Sequence, residues 1–242
     1  MAKYLQLKER ERMKKKVAYV VSCTHWDREW YWAQEQFRMR LIELVDSLLD
    51  ILEKDKEYKH FFFDGQVMAI EDYLELRPQN RARVGKLVKS GKLGIGSWYN
   101  MPDLFIPDGE SLVRNLLLGD KMAKEFGRVT KIGYAPDCFG NNQMMPQIMN
   151  GFGIKDYFFV RGMDEEDFKR LGSEFIWRSP DGSEVFTTYM MEGYFGAGAL
   201  GFKETFFDYR GLKPDKDVAV KEMKVMMQNY EKEFISDNYL LF

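Results

Sequence analysis

Cysteine is nearly absent from this 242-residue chain: Cys23 and Cys138 are the only two. That excludes a disulfide framework and points to a reducing, cytoplasmic home. Histidine is as scarce, at two residues, His25 and His60. Neither sign of charge dominates, since 36 Lys and Arg face 38 Asp and Glu for a net charge of −2. Such a balance gives no reason to expect a nucleic acid or a membrane surface as partner. No apolar run approaches the roughly 20 residues that span a bilayer. The N-terminus also lacks the apolar core and small-residue cleavage site of a signal peptide. No repeat, low-complexity tract or linker marks an internal boundary. The expected organisation is a charged leader over residues 1–16, whose basic run from Lys8 to Lys16 is broken by glutamates, and one domain over residues 17–242.

What the chain does contain is an alternation of apolar runs and helical patterns, the signature of βαβ units and a parallel sheet. The run from Val17 to His25 predicts a first strand buried on both faces. Leu41, Leu44, Val45, Leu48, Leu49 and Leu52 recur at three and four residues and predict an amphipathic helix. Phe61 to Phe63 predicts the second strand, with helical text to Leu76 and a stop at Pro78. A helix from about Arg81 to Lys89 ends at Gly91, and Leu93 to Trp98 predicts a third strand whose glycines mark a bend or a close backbone approach. After the helix bearing Leu112, Leu116 and Phe126 come strands at Lys131 to Ala135 and Tyr157 to Val160. Glu174 to Trp177 and Val185 to Met190 flank Pro180-Asp-Gly182, a hairpin signal. A helix from Val218 to Phe234 precedes a last strand, Asn238 to Phe242, which no helix follows. The chain is therefore expected to stop inside its fold.

In such folds the reactive groups gather at the carboxyl ends of the strands. Those ends read Thr24-His-Trp-Asp27, Asp64-Gly-Gln66, Trp98 to Asp103, Asp137-Cys-Phe-Gly140 and Arg161. His25 and Asp27 are two apart, so on an extended strand end both point the same way. An imidazole nitrogen beside a carboxylate suits zinc and other borderline divalent ions. Taken alone, the pair is better explained by a buried histidine merely hydrogen-bonded to a neighbouring aspartate. Asp137 ends another apolar strand and faces the same cavity, and a buried carboxylate needs a metal, an arginine or a proton. An Asp137–Arg161 salt bridge is the plain alternative. His60 precedes the second strand, at the opposite end, and reads as a surface residue.

Taken together, Thr24-His-Trp-Asp-Arg-Glu-Trp30 and Ala135-Pro-Asp-Cys-Phe-Gly140 resemble the opening and nucleophile motifs of the glycoside hydrolase family 38 α-mannosidases. Asp64-Gly-Gln66 with Glu71-Asp-Tyr-Leu-Glu75, Gly96-Ser-Trp98 with Met101-Pro-Asp103, and Phe175-Ile-Trp-Arg178 match in family order, with the flavour of the bacterial branch. The resemblance implies an α/β fold, an incomplete seven-stranded (β/α) barrel of the glycoside hydrolase and deacetylase type, with parallel strands, flanking helices and one hairpin excursion. It implies a retaining hydrolase of α-mannosides, either mannose oligosaccharides or mannosylglycerate, that uses Zn2+ or another divalent metal. His25, Asp27 and Asp137 would be metal ligands, and Asp137 also the catalytic nucleophile. Trp30, Phe139, Arg161 and Asp103 would contact substrate.

The chemistry agrees with those roles. An ion with open positions can grip the cis hydroxyls at C2 and C3 of mannose, and retention needs a carboxylate nucleophile with a second carboxyl about 5–5.5 Å away. The family's fourth metal ligand is a later histidine, and its acid/base aspartate is expected beyond residue 242. Two alternatives stand beside this reading: a metal-dependent polysaccharide deacetylase, in which Asp137 is never a covalent nucleophile, and a truncated, inactive barrel. The expected partners are an α-mannoside and at most further copies of the chain.

Overall fold

A computed structural model describes residues 16–202, 213–234 and 236–242. Apart from Lys16, the charged leader lies outside the described residues. The first expected strand is present in two pieces, Val17–Val20 (β1) and Cys23–Thr24 (β2). Then come Gln34–Lys54 (α1), Phe61–Phe63 (β3), Met68–Leu76 (α2), Arg81–Ser90 (α3) and Leu93–Gly94 (β4). Gly109–Glu125 (α4), Gly133–Ala135 (β5), Met145–Gly151 (α5), Asp156–Phe159 (β6) and Glu165–Leu171 (α6) follow. The hairpin Glu174–Arg178 (β7) and Glu184–Tyr189 (β8), the helix Lys216–Glu233 (α7) and the strand Asn238–Leu241 (β9) complete the described chain.

The strands form three ladders. β1 pairs in parallel with β9, so the last strand lies beside the first. β2, β3 and β4 make a parallel set, and β5, β6 and β8 another, to which β7 adds antiparallel through β8. The Pro180-Asp-Gly182 turn closes that hairpin with Gly182 at φ 87° and Ser179 N–H donating to the Ser183 carbonyl. Between β4 and β5 the described residues form no ladder. Gly96 at φ 72° turns the chain out of strand conformation after only two paired residues. One backbone bond, from the Thr130 N–H to the Ile95 carbonyl at 3.0 Å, crosses the gap, and side chains add to it: the Ser97 hydroxyl donates to the Thr130 carbonyl at 2.9 Å, and the Trp98 indole to that of Tyr134 at 3.0 Å.

The first strand departs from the expected two-sided burial. Tyr19 and Val20 are 51% and 59% exposed. Successive side chains of a strand point to opposite faces, so both faces of β1 are uncovered at its carboxyl end, while Val17 and Ala18 remain half-buried.

The apolar face of α1, with Leu41, Val45, Leu48, Leu49 and Leu52, packs with β3, α2 and α3 in one core. A second core gathers Trp98, Leu112, Leu116, Tyr157 and Phe159 beneath α4 and α5. Each such side chain removed from water contributes roughly 1.5–3 kcal/mol, which far outweighs helix propensity. Asp108 caps α4 by accepting the Ser111 N–H at 2.7 Å.

The opening motif is tied to this scaffold by Arg28, whose Nε and Nη2 donate to the two oxygens of the buried Asp72 on α2 at 2.8 and 2.7 Å. Removing Arg28 leaves that carboxylate without its paired donors. Arg28→Ala is therefore expected to lower stability by about 1–3 kcal/mol, read as a fall of roughly 2–4 °C in the thermal midpoint per kcal/mol. An unchanged midpoint would show that the pair does not anchor the segment.

Candidate functional site

The side chains expected to carry chemistry all follow the carboxyl ends of strands. His25 follows β2, Asp64 follows β3, Asp137 lies two residues beyond β5, and Arg161 two beyond β6. A cleft of about 280 Å³ opens there, lined by residues that include His25, Asp27, Gln66, Asn100, Asp103, Asp137 and Phe139. That volume is at the small end of ligand pockets, which run roughly 300–1,000 Å³.

His25 is the hub. Its Nε2 lies 3.5 Å from Asp27 Oδ1 and 3.6 Å from Asp137 Oδ2. Two donors about 2.0–2.2 Å from one tetrahedral ion stand roughly 3.3–3.6 Å apart, so these separations suit a shared metal. Nε2 is buried and makes no hydrogen bond, which leaves a polar atom in need of a partner. The residues present thus fit a divalent ion in donor type and spacing. The fit is pairwise, through His25 Nε2: among the described residues no group of three such side chains is placed to hold an ion together.

The other face of the ring meets Asp64, whose Oδ1 lies 3.1 Å from His25 Nδ1. Asp64 is fully buried, and its Oδ2 accepts the Trp26 N–H at 2.8 Å and the Gln66 amide at 2.7 Å. Burial opposes a charge on His25, but the carboxylates of Asp27 and Asp64 beside its two nitrogens outweigh it and lift the imidazole to about 10. Burial also pushes the Asp64 carboxyl upward, while His25 and the two N–H donors pull it back. The proton of this pair belongs on the ring, because Asp64 is surrounded by donors.

Asp137 is gripped from the opposite side. Arg161 Nε donates to Asp137 Oδ1 at 2.5 Å, its Nη2 pairs with the same oxygen, and its guanidinium lies over the Phe139 ring, 4.5 Å from the centroid. The expected salt bridge and the expected approach to His25 therefore coexist, one on each carboxylate oxygen. Asp103 lines the cleft and accepts the Phe139 N–H at 2.8 Å. Trp30 is 60% exposed and is not among the residues lining this cleft. His60 is exposed, as expected, and donates its Nδ1 proton to the Gly91 carbonyl at 2.7 Å.

Tyr194 was not legible as part of the site. Its ring lies 4.8 Å from that of His25, and burial, followed by its hydrogen bond to Asp137, pushes the phenol above its ordinary range. It sits in the glycine-punctuated segment after β8, where no periodicity reports on three-dimensional placement. The Asp64-Gly-Gln66 strand end was legible as polar, but its contact with His25 was not.

Residues 15–242 match the N-terminal domain of the glycosyl hydrolases family 38. A putative mannosylglycerate hydrolase from Halalkalibacterium halodurans is 40% identical over 190 residues, which is 74% of this chain and 21% of the relative. An alpha-mannosidase from Saccharomyces cerevisiae is 29% identical over 188 residues, again 74% of this chain but 17% of that protein. Among solved structures, an alpha-mannosidase from Enterococcus faecalis V583 superposes with a TM-score of 0.81 at 35% identity, covering 94% of this chain and 24% of that one. A putative polysaccharide deacetylase from Mycobacterium smegmatis gives a TM-score of 0.57 at 15% identity, over 95% and 77% of the two chains, a likeness of fold alone. The chain thus spans between about a sixth and a quarter of the length of these mannosidases and of the hydrolase.

Proposed function

Because the chain belongs to the family 38 glycosyl hydrolases, we propose that it carries the nucleophile and three of the metal ligands of a retaining α-mannosidase. The observation that supports this most is the meeting of His25, Asp27 and Asp137 around the unpartnered His25 Nε2. Those three side chains would hold a divalent ion, with zinc the expected choice for one imidazole and two carboxylates. Bound there, such an ion would supply a grip on the C2 and C3 hydroxyls of mannose as the ring flattens.

The chain's own residues do the rest of the first step. A carboxylate oxygen of Asp137 attacks the anomeric carbon as the bond to the leaving oxygen breaks, giving a mannosyl ester that water later hydrolyses. Arg161 and Tyr194 hold that carboxylate in one orientation, which is what positions a nucleophile in line. Phe139 offers an aromatic face beside the cleft and Asp103 a carboxylate within it, whereas a sugar contact for Trp30 would need a substrate that extends beyond the cleft.

The acid/base carboxyl and the fourth ligand are assigned to the part of the relatives' length that this chain does not span. We take residues 17–242 as part of the catalytic domain and read its strands as those of an incomplete seven-stranded barrel, from which the β7–β8 hairpin is the excursion. The substrate class is α-mannosides, with mannosylglycerate or short mannose oligosaccharides as the first to test. A cytoplasmic location follows from the scarcity of cysteine.

The test is covalent trapping. Incubating the intact enzyme with a fluorinated mannosyl donor and mapping peptides by mass spectrometry should place one mannosyl adduct on Asp137. A deacetylase would instead release acetate from an acetylated polysaccharide and carry no adduct. An adduct on another carboxylate would displace Asp137 from its role.

A further inference from the structure

Asp64 is the residue with positive φ, at 53°, that is not a glycine among the described residues, and Gly65 follows it at 63°. Such a conformation is disfavoured for a side-chain-bearing residue and persists where the surroundings hold it. Here it places a fully buried carboxylate edge-on to the His25 ring. Its two oxygens have different tasks. Oδ2 receives two donors, the Trp26 N–H and the Gln66 amide. The Gln66 amide cannot turn round freely, because its Oε1 accepts the Met101 N–H at 3.3 Å while its Nε2 also reaches the Trp26 carbonyl at 3.0 Å. Oδ1 is left for His25 Nδ1.

From this geometry we propose that Asp64 is the positioning residue that keeps the His25 proton on Nδ1, so that the Nε2 lone pair faces Asp27 and Asp137. The inference rests on the metal reading above and deepens it. A histidine that binds metal through one nitrogen needs its other N–H anchored, and losing that anchor typically weakens metal binding about 10–100-fold. The anchor also selects the tautomer.

Asp64→Asn tests this with almost no change of volume. In the variant, Trp26 and Gln66 still donate into the former Oδ2 position, so the amide oxygen must sit there. The amide NH2 then faces His25 Nδ1 and can only donate to it. The ring is thereby driven to the opposite tautomer, with its proton on Nε2, where the metal should bind. A merely structural role for Asp64 would lower stability without exchanging the protonated nitrogen.

The measurements are zinc titration by calorimetry and 15N chemical shifts of the histidine rings, with His60→Gln used to assign the two signals. Asp64→Asn should bind zinc about 10–100-fold more weakly than the wild type; the zinc-loaded wild type should carry its ring proton on Nδ1, and the neutral ring of the variant on Nε2. Wild-type zinc affinity together with an unmoved proton would overturn the inference and leave the metal reading intact. Failure of the wild type to bind zinc would overturn both. Should the Asp64→Asn variant not fold, the zinc-loaded wild type decides alone: a slowly exchanging proton on Nδ1 with the metal on Nε2 supports the proposal, and the reverse assignment overturns it.

Discussion

Asp137→Asn in the intact enzyme is expected to reduce kcat for an α-mannoside by at least about 10⁴-fold, equivalent to roughly 5.5 kcal/mol of transition-state stabilisation. The amide is neutral and a poor nucleophile, so the glycosyl ester does not form at a useful rate. The same change removes an anionic donor from beside His25 Nε2 and the counter-charge of Arg161. Stability should change little. The Asp137 and Arg161 side chains retain 28% and 41% of their exposure, and such half-solvated pairs contribute at most about 1 kcal/mol. The variant should thus fold with a near-native thermal midpoint while being catalytically silent. Asp103→Asn provides the contrast. Its oxygen accepts the Phe139 N–H, a task an asparagine oxygen performs as well, so activity should fall far less. Turnover of Asp137→Asn within tenfold of the wild type would remove Asp137 from the mechanism.

How far the sequence reached can be judged from these same residues. The approach of Asp27 and Asp137 to His25 was legible because strand ends and a two-residue spacing are local facts, and the topology of a parallel sheet gathers strand ends at one rim. The helix α1 was legible because its buried leucines repeat at three and four residues over many turns. The hairpin was legible from Pro180-Asp-Gly182, whose turn chemistry needs no tertiary context. The helices α5 and α6, each 7 residues long, escaped because two turns are too short for a pattern to rise above chance. The third strand shrank to Leu93–Gly94 because Gly96 takes a left-handed conformation, and a glycine's sign of φ cannot be read from its name. The contact of Asp64 with His25 spans 39 residues and depends on a positive φ at a residue that rarely adopts one. Long-range partners of this kind are set by how elements pack, which local pattern does not encode.

Two glycine substitutions make that dependence measurable, because the same chemical change should act with opposite sign. Both residues lie inside helices, Gly85 in α3 and Gly119 in α4. In an open helix, Gly→Ala stabilises by about 0.5–1 kcal/mol, since alanine loses less backbone freedom on folding. Gly85 has no atom within 4 Å of the position a Cβ would take, so Gly85→Ala should raise the thermal midpoint by a few degrees. At Gly119 a Cβ would stand 2.3 Å from the Ser97 carbonyl oxygen and the Trp98 carbonyl carbon, and 2.4 Å from the Tyr99 nitrogen. Backbone cannot swing aside as a side chain can. That segment is also clamped to α4 by Asn115, which accepts the Tyr99 N–H at 2.9 Å and donates to the Asn100 carbonyl at 2.6 Å. The added methyl must therefore push the helix from the strand end, and Gly119→Ala is expected to lose about 3 kcal/mol or more. The disturbance would not stay in the core. Asn100, Met101 and Asp103 line the cleft, and the Met101 N–H is what fixes the Gln66 amide against Asp64. Thermal unfolding should thus show Gly119→Ala falling by roughly 6–12 °C while Gly85→Ala rises. Equal and positive shifts for the two variants would mean that α4 does not lie against residues 97–99 as described.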